Sequence, residues 1–494
     1  MSVILAVAGA HALRADVCPA SIFTGNAVLQ QGIPVPVWGT ASEGEKVTVE
    51  CAGRKASTTA KDGRWLVRLE PLKIGGPYTM TIAGRNKVVF NNILVGEVWI
   101  CGGQSNMAFE LKEAAEAQTA IAAADDPLIR MFTVRHASTK KPMAEVDGVW
   151  RPCTAEQAAW FSAVGYFFGR DLRKALGVPV GIINASAGSS SAEAWTPRAV
   201  LEADPDLRAA VEERERAAKE YPEALARYKE QESDLLKAYE VAVEKARAEG
   251  KPAPRKPAPP PDPVAGVKYP SGLYNGMIVP LEPYGIRGVI WYQGESNSGR
   301  ARAYQTLFPA LIRSWREAWG EGEFPFLFVQ VAPYEDTPPE IREAQLIAWR
   351  NTPRTAMVVI TDAGDEKSIH PKRKEPVGAR LALAARAVAY GERIEYSGPV
   401  FDSMTVDGGA AVLRFMHVGA GLTAAGGALK GFTLAGADKN FIAAEAKIEG
   451  DSVVVSSPRI AVPAAVRYGW ANAPDVNLFN RDGLPATPFR TDPE

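Results

Sequence analysis

A serine and a histidine are the residues most suited to chemistry in this chain. The stretch GEVWICGGQSNM, Gly96 to Met107, sets Ser105 in a tight polar turn behind the apolar run Val98 to Cys101. Gly102 and Gly103 permit the sharp bend that a strand-to-helix junction needs. A serine so placed is exposed, and the amide N–H groups opening the next helix can stabilise an oxyanion. Taken alone the turn reads better as a capping serine, because it lacks the second glycine of a G-x-S-x-G elbow.

Histidine is scarce, so a base for Ser105 is quickly sought. His11 lies in an apolar leader-like stretch, His136 before a charged loop and His417 in a β-prone tail, and each of the last two reads as structural. His370, in Ser-Ile-His-Pro after the apolar run ending at Thr361, is the general-base candidate. Asp362, Asp365 and Glu366 precede it and could orient the ring, with Asp365 favoured and a backbone carbonyl as the alternative that would leave a dyad. Two more loops offer oxyanion donors: NASAGSSS with the Gly188 N–H, and Gly294-Glu295-Ser296-Asn297 with the Asn297 amide. Ser105 itself supplies a backbone donor. Gln104, Glu295 and Arg342 are the expected substrate contacts, with Arg300 as a second arginine able to meet a carboxylate. Ser186 is the rival nucleophile.

These loops need a parallel α/β sheet behind them. From Leu94 to Tyr390 apolar runs alternate with helical stretches. Strands are expected at Val95 to Cys101, Val180 to Asn184, Arg287 to Tyr292, Phe326 to Val331 and Ala356 to Thr361. Helices fit Phe161 to Leu176, Ala303 to Trp319 and Pro376 to Tyr390. Ligands of such sheets bind beyond the carboxyl ends of the strands, where all four loops lie. Four segments follow: a signal-like stretch at 1–16, a β-sandwich at 17–92, a catalytic α/β domain at 93–392, and a second β-sandwich at 393–494. An insert at 198–265, rich in Glu, Lys, Arg and Ala and ending in a proline-rich linker, reads as a helical hairpin packed through Leu225, Tyr228, Leu235, Tyr239 and Val243.

Composition narrows the partners. With 46% hydrophobic and 23% charged residues over 494, the chain has apolar material for about three domains. A net charge of -1 argues against nucleic acid and anionic membrane surfaces, leaving a small molecule or glycan. No apolar run approaches a membrane span, so no membrane insertion is expected. The apolar run Val3 to Ala10 followed by small residues points to a periplasmic or secreted protein. The four cysteines, Cys18, Cys51, Cys101 and Cys153, show no zinc spacing; a Cys101–Cys153 disulfide and buried free thiols fit equally. Gly294 to Arg300 lacks the Lys and Ser/Thr of a phosphate loop.

With these loops placed, the chain resembles the SGNH hydrolase superfamily, and within it the sialate O-acetylesterase family of carbohydrate esterases. The resemblance rests on GNAVLQQ, PVPVWGTA, GEVWICGGQSNM, FSAVGYFFGR, AEAWTP, LYNGMIVPL, WYQGESN, FPFLFVQVAPY, REAQ, IHPKRKEPVGARLA and AVRYGWANAPDVNLFNRDGLPATPFRTD, spread over nearly the whole length. It implies a flavodoxin-like three-layer α/β/α domain flanked by β domains, with Ser105, Gly188, Asn297 and His370 in the four roles that name the superfamily. It implies removal of O-acetyl groups from sialic acid through an acetyl-enzyme, with no metal or organic cofactor. Acetylated xylan or pectin is the alternative substrate, and a non-catalytic carbohydrate-binding protein, using Trp38, Trp65 and Trp470, the alternative class. Two departures stand out: Lys367 occupies the place three before the histidine where the superfamily has aspartate, and Gly188-Ser189 replaces a glycine pair.

Overall fold

The computed structural model describes residues 16–492. The signal-like stretch at 1–16 therefore lies, but for Asp16, outside the described residues. Strand β1 (Lys87–Gly103) is the spine of the molecule. Its first half pairs antiparallel with Gly75–Ala83 and exposes alternate residues, whereas from Ile93 onward every residue is buried. That change from alternation to continuous burial marks the entry of the strand into a sheet covered on both faces.

Six further strands form with it the main path of an 11-stranded central sheet: β2 (Asp126–Thr133), β3 (Arg151–Cys153), β4 (Val180–Ser186), β5 (Gly288–Tyr292), β6 (Phe326–Val329) and β7 (Thr355–Val358). Their order is β3-β2-β4-β1-β5-β6-β7, parallel throughout except for the β3/β2 pair. Alternate residues feed two separate cores. Ile100, Val289 and Phe328 join one, with Trp291 and Trp315, while Trp99, Ile290 and Leu327 join the other, with Phe167 and Phe168. The period of two along each strand makes that division.

Helix α1 (Ser105–Ala108) follows β1 directly. The larger helices are α2 (Ala163–Leu176), α3 (Pro205–Ala248), α4 (Ala301–Trp319), α5 (Pro339–Asn351) and α6 (Glu375–Val388). Helix α2 starts on Ser162, whose Oγ accepts from the Gly165 N–H at 3.0 Å, and ends on Gly177 at φ 71°. The architecture is a mixed α/β fold with a large central mixed sheet and additional β-sheets on either side of it in sequence.

The insert departs from expectation. A six-residue helix, Arg198–Ala203, precedes one 44-residue helix, α3, with Pro222 inside it, and α3 does not fold back as a hairpin. Between Pro205 and Ala248 the sequence has no glycine and no turn cluster that could reverse it, so helix propensity carries through at about 1.5 Å per residue. Only Leu207 and Val211 are fully buried; Leu225, Tyr228, Tyr239 and Val243 are half-buried and Leu235 is exposed. Residues 393 onward form antiparallel sheets around their own core of Leu413, Val453, Val466, Tyr468 and Phe489. Among the described residues no helix is long and apolar enough to cross a membrane.

Candidate active site

Ser105 stands where β1 turns into α1. Gly103 holds φ 131°, and a Cβ there would collide with the Tyr292 carbonyl of the neighbouring strand, so only glycine fits this bend. The bend delivers Ser105 half-buried to the carboxyl edge of the sheet. His370, in the loop after β7, places Nε2 2.7 Å from Ser105 Oγ. These residues, 265 positions apart, are thus brought within hydrogen-bond reach. The imidazole is held below its ordinary value, first by burial and then by the Lys374 charge, against the opposing field of Glu113.

The loop after β4 brings Gly188 to the same spot. A Cβ on it would lie 3.7 Å from Ser105 Cβ, and Gly188 is exposed toward solvent. Among the described residues its N–H meets no acceptor. The loop is anchored by the Ala187 N–H, which donates to the Gly103 carbonyl at 3.0 Å.

Asn297 follows β5 and is almost wholly buried. Its Oδ1 accepts from the Ala192 N–H at 2.9 Å and from Gln293 Nε2 at 2.8 Å. With both donors on Oδ1, the amide has one orientation, and Nδ2 donates to Glu193 Oε2 at 3.0 Å with its second hydrogen unused there. Glu193, buried as well, pairs through Oε1 with Arg300 at 2.9 Å. Gln293 and Glu193, which spacing alone did not single out, are therefore what aims Asn297.

The expected acid partner is not found at His370. Asp365 is exposed, and its carboxylate accepts from the Lys367 N–H at 2.9 Å, closing the local turn instead of reaching the ring. Asp362 is taken by Arg380, at 2.6 and 2.7 Å, and Glu366 is exposed beside Lys367. Among the described residues no hydrogen bond reaches His370 Nδ1.

The expected substrate contacts are redistributed. Gln104 is buried and its Oε1 accepts from the Ser296 N–H at 3.3 Å, joining the serine and asparagine loops. Glu295 is buried and accepts from Asn106 Nδ2 at 2.6 Å. Burial of its carboxyl raises its pKa above the ordinary value. Arg342 lies elsewhere: it is 1% exposed, and its Nη2 donates to the carbonyls of Ala471 and Asn472 in the carboxy-terminal β region. The rival Ser186 is occupied with Asn184 Oδ1 at 2.6 Å. His417 Nδ1–H donates to Glu395 Oε1, 2.8 Å away, in a structural pairing. Of the three tryptophans considered as sugar platforms, Trp65 is buried, and Trp38 and Trp470 are half-buried.

Residues 269–387, which carry Asn297 and His370, match the family model described as carbohydrate esterase, sialic acid-specific acetylesterase. Sialate O-acetylesterase of Rattus norvegicus is 32% identical over 413 residues, covering 74% of this chain and 72% of the rat protein. The Homo sapiens sialate O-acetylesterase is 30% identical over 427 residues, covering 77% and 73%. A carbohydrate acetylesterase from Xanthomonas citri, known from its crystal structure, superposes with a TM-score of 0.81 at 38% identity, over 97% of this chain and 100% of that one. Likeness of this extent reaches well past the site loops into both flanking β regions, and it places the chain in the sialate O-acetylesterase family of carbohydrate esterases, as a carboxylic ester hydrolase.

Proposed function

We propose that this chain removes O-acetyl groups from sialic acid by two-step acyl transfer within an SGNH-type domain. The observation that carries the mechanism is the 2.7 Å approach of Ser105 Oγ to His370 Nε2 at the carboxyl edge of the parallel strands. His370 takes the hydroxyl proton as Oγ bonds to the acetyl carbon. The carbonyl electron pair moves onto oxygen, where the Ser105 and Gly188 N–H groups and Asn297 Nδ2 receive it. Collapse expels the sugar alcohol, which takes the proton from His370. Water, giving a proton to the same imidazole, then splits the acetyl-enzyme into acetate and free serine.

The lowered basicity of His370 suits this cycle, because the ring is neutral and ready to accept at neutral pH. Every step uses groups of this chain and water. With Asp365 turned away, His370 works as a dyad partner in the field of Glu113.

A neutral acetylated polysaccharide, xylan or pectin, is the second reading. The observation behind it is that Arg300, one candidate for meeting a sialate carboxylate, is paired with Glu193. The test measures acetate release by the wild type and by Ser105→Ala on 9-O-acetylated sialic acid, acetylated xylan and p-nitrophenyl acetate. Serine-dependent release with sialic acid preferred is expected. Preference for xylan would retain the mechanism and replace the substrate, while glycan binding without any release would make the chain a binding protein.

A further inference from the structure

Lys374 is a buried charge that the acyl-transfer steps leave unused. It is wholly inaccessible to solvent and sits just before α6, four residues after His370. Its Nζ donates to Asn106 Oδ1 at 2.6 Å. Asn106 in turn donates through Nδ2 to Glu295 Oε1 at 2.6 Å and to the Ile369 carbonyl at 2.9 Å. The rings of Phe109 and Tyr292 flank the ammonium at 4.7 and 5.3 Å.

Three loops meet in this cluster. Asn106 follows Ser105, Ile369 precedes His370, and Glu295 lies two residues before Asn297. An ammonium can only donate, and a carboxylate or a carbonyl oxygen beside Asn106 can only accept. The Asn106 amide therefore has one orientation that satisfies all of its partners. Burying an ammonium and a carboxyl together is costly, and an apolar pair would fill the same space more cheaply. The cost has a counterpart in what the cluster holds.

We infer that Lys374 is a positioning residue: it fixes the Asn106 amide, and through it the spacing between Ser105 Oγ and His370 Nε2. The inference rests on the Ser–His reading above. The groups that face the imidazole are Lys374 on its own loop and Glu113 from the turn at Leu111–Glu113; Glu295 and Glu116 face Lys374. Burial pushes Lys374 down to about 7. Below that pH it is charged, which is the range where the imidazole would take up its proton, and a nearby cation opposes that uptake. Removing the cation therefore raises the imidazole and moves the acidic limb of the rate profile upward.

The experiment follows p-nitrophenyl acetate hydrolysis from about pH 5 to 9 for the wild type, Ser105→Ala, Lys374→Met and the double variant Lys374→Met/Glu295→Gln, the range bracketing the ordinary imidazole value. For Lys374→Met, kcat is expected to fall by about tenfold or more with KM within about twofold, and the acidic limb to rise by about half a unit to one unit. The double variant leaves no unpaired carboxyl and keeps the measurement valid if the single one does not fold. It is expected to recover stability but neither kcat nor the limb. Recovery of wild-type kcat and pH profile in the double variant would overturn the inference, reducing Lys374 to a counter-charge for Glu295. An inactive Ser105→Ala beside Lys374 variants of unchanged kcat and profile would overturn this inference alone. An active Ser105→Ala would overturn the Ser–His reading and this inference with it.

Discussion

Replacing Asn297 by alanine separates two effects that meet on one side chain. The first is catalytic. Nδ2 has one hydrogen on Glu193, and in the proposed mechanism the other meets the reacting oxygen. Loss of one such donor costs about 2.7–4 kcal/mol, or about a hundredfold to a thousandfold in kcat. The second is structural. Alanine strands the Ala192 N–H, Gln293 Nε2 and Glu193 Oε2, now held at 2.9, 2.8 and 3.0 Å. Each unmet buried partner costs about 1–3 kcal/mol, and the lower end applies here. Gln293 keeps a bond to the Ser190 carbonyl at 3.2 Å, and Glu193 keeps Arg300 at 2.9 Å. A total loss of folding stability on the order of 3 kcal/mol follows. The assay pairs denaturant unfolding with initial rates of acetate release, taken well below the melting temperature of the variant. Expected is a kcat lower by about two to three orders of magnitude with KM little changed. If stability drops as calculated while kcat stays within about threefold, Asn297 serves the fold and the oxyanion reasoning is refuted.

Arg342→Met should lower stability by about 1–3 kcal/mol, by releasing the Ala471 and Asn472 carbonyls, and leave KM for acetylated sialic acid unchanged. A rise in KM for the carboxylated substrate alone would return the guanidinium to the binding site. Thiol titration of the native protein should find Cys18 reactive and Cys51, Cys101 and Cys153 silent until unfolding. Burial pushes Cys51 up to about 12, Cys153 to about 11 and Cys101 higher still. Two thiols missing after denaturation would instead establish a disulfide.

What could be read from the sequence follows from how local each signal is. The runs that became β4, β5, β6 and β7 are short, apolar and bounded by turn residues, and they lie within a few residues of their expected ends, whereas β1 begins at Lys87, well before the expected Val95, because its first half pairs outside the parallel strands. Strand β2 escaped because Asp126, Pro127 and Arg130 interrupt its apolar pattern. The hairpin expected for the insert failed because charge pairs mark a helix but do not say whether it reverses. That Ser105, Gly188, Asn297 and His370 would lie together was legible because each follows a strand whose carboxyl end the topology gathers at one edge. The partner of His370 was not, since the direction of the Asp365 carboxylate depends on a turn closed by the Lys367 N–H. Lys374 hid in a Lys-Arg-Lys run that reads as a solvated surface, and the inward face of α5 turned Arg342 away from the site.

The continuity of β1 bears on modularity. A cut at the expected 92/93 boundary would sever one hydrogen-bonded strand, strip Val28–Gln30 from Leu94, Val95 and Gly96, and bare the buried Ile93, Leu94 and Val95. The amino-terminal β region is therefore no detachable appendage that could be exchanged between relatives without repair. It shares a lever with the Ser105 turn: the strand it grips ends two residues before Ser105, so any slip of register at its far end is transmitted to Ser105 Oγ.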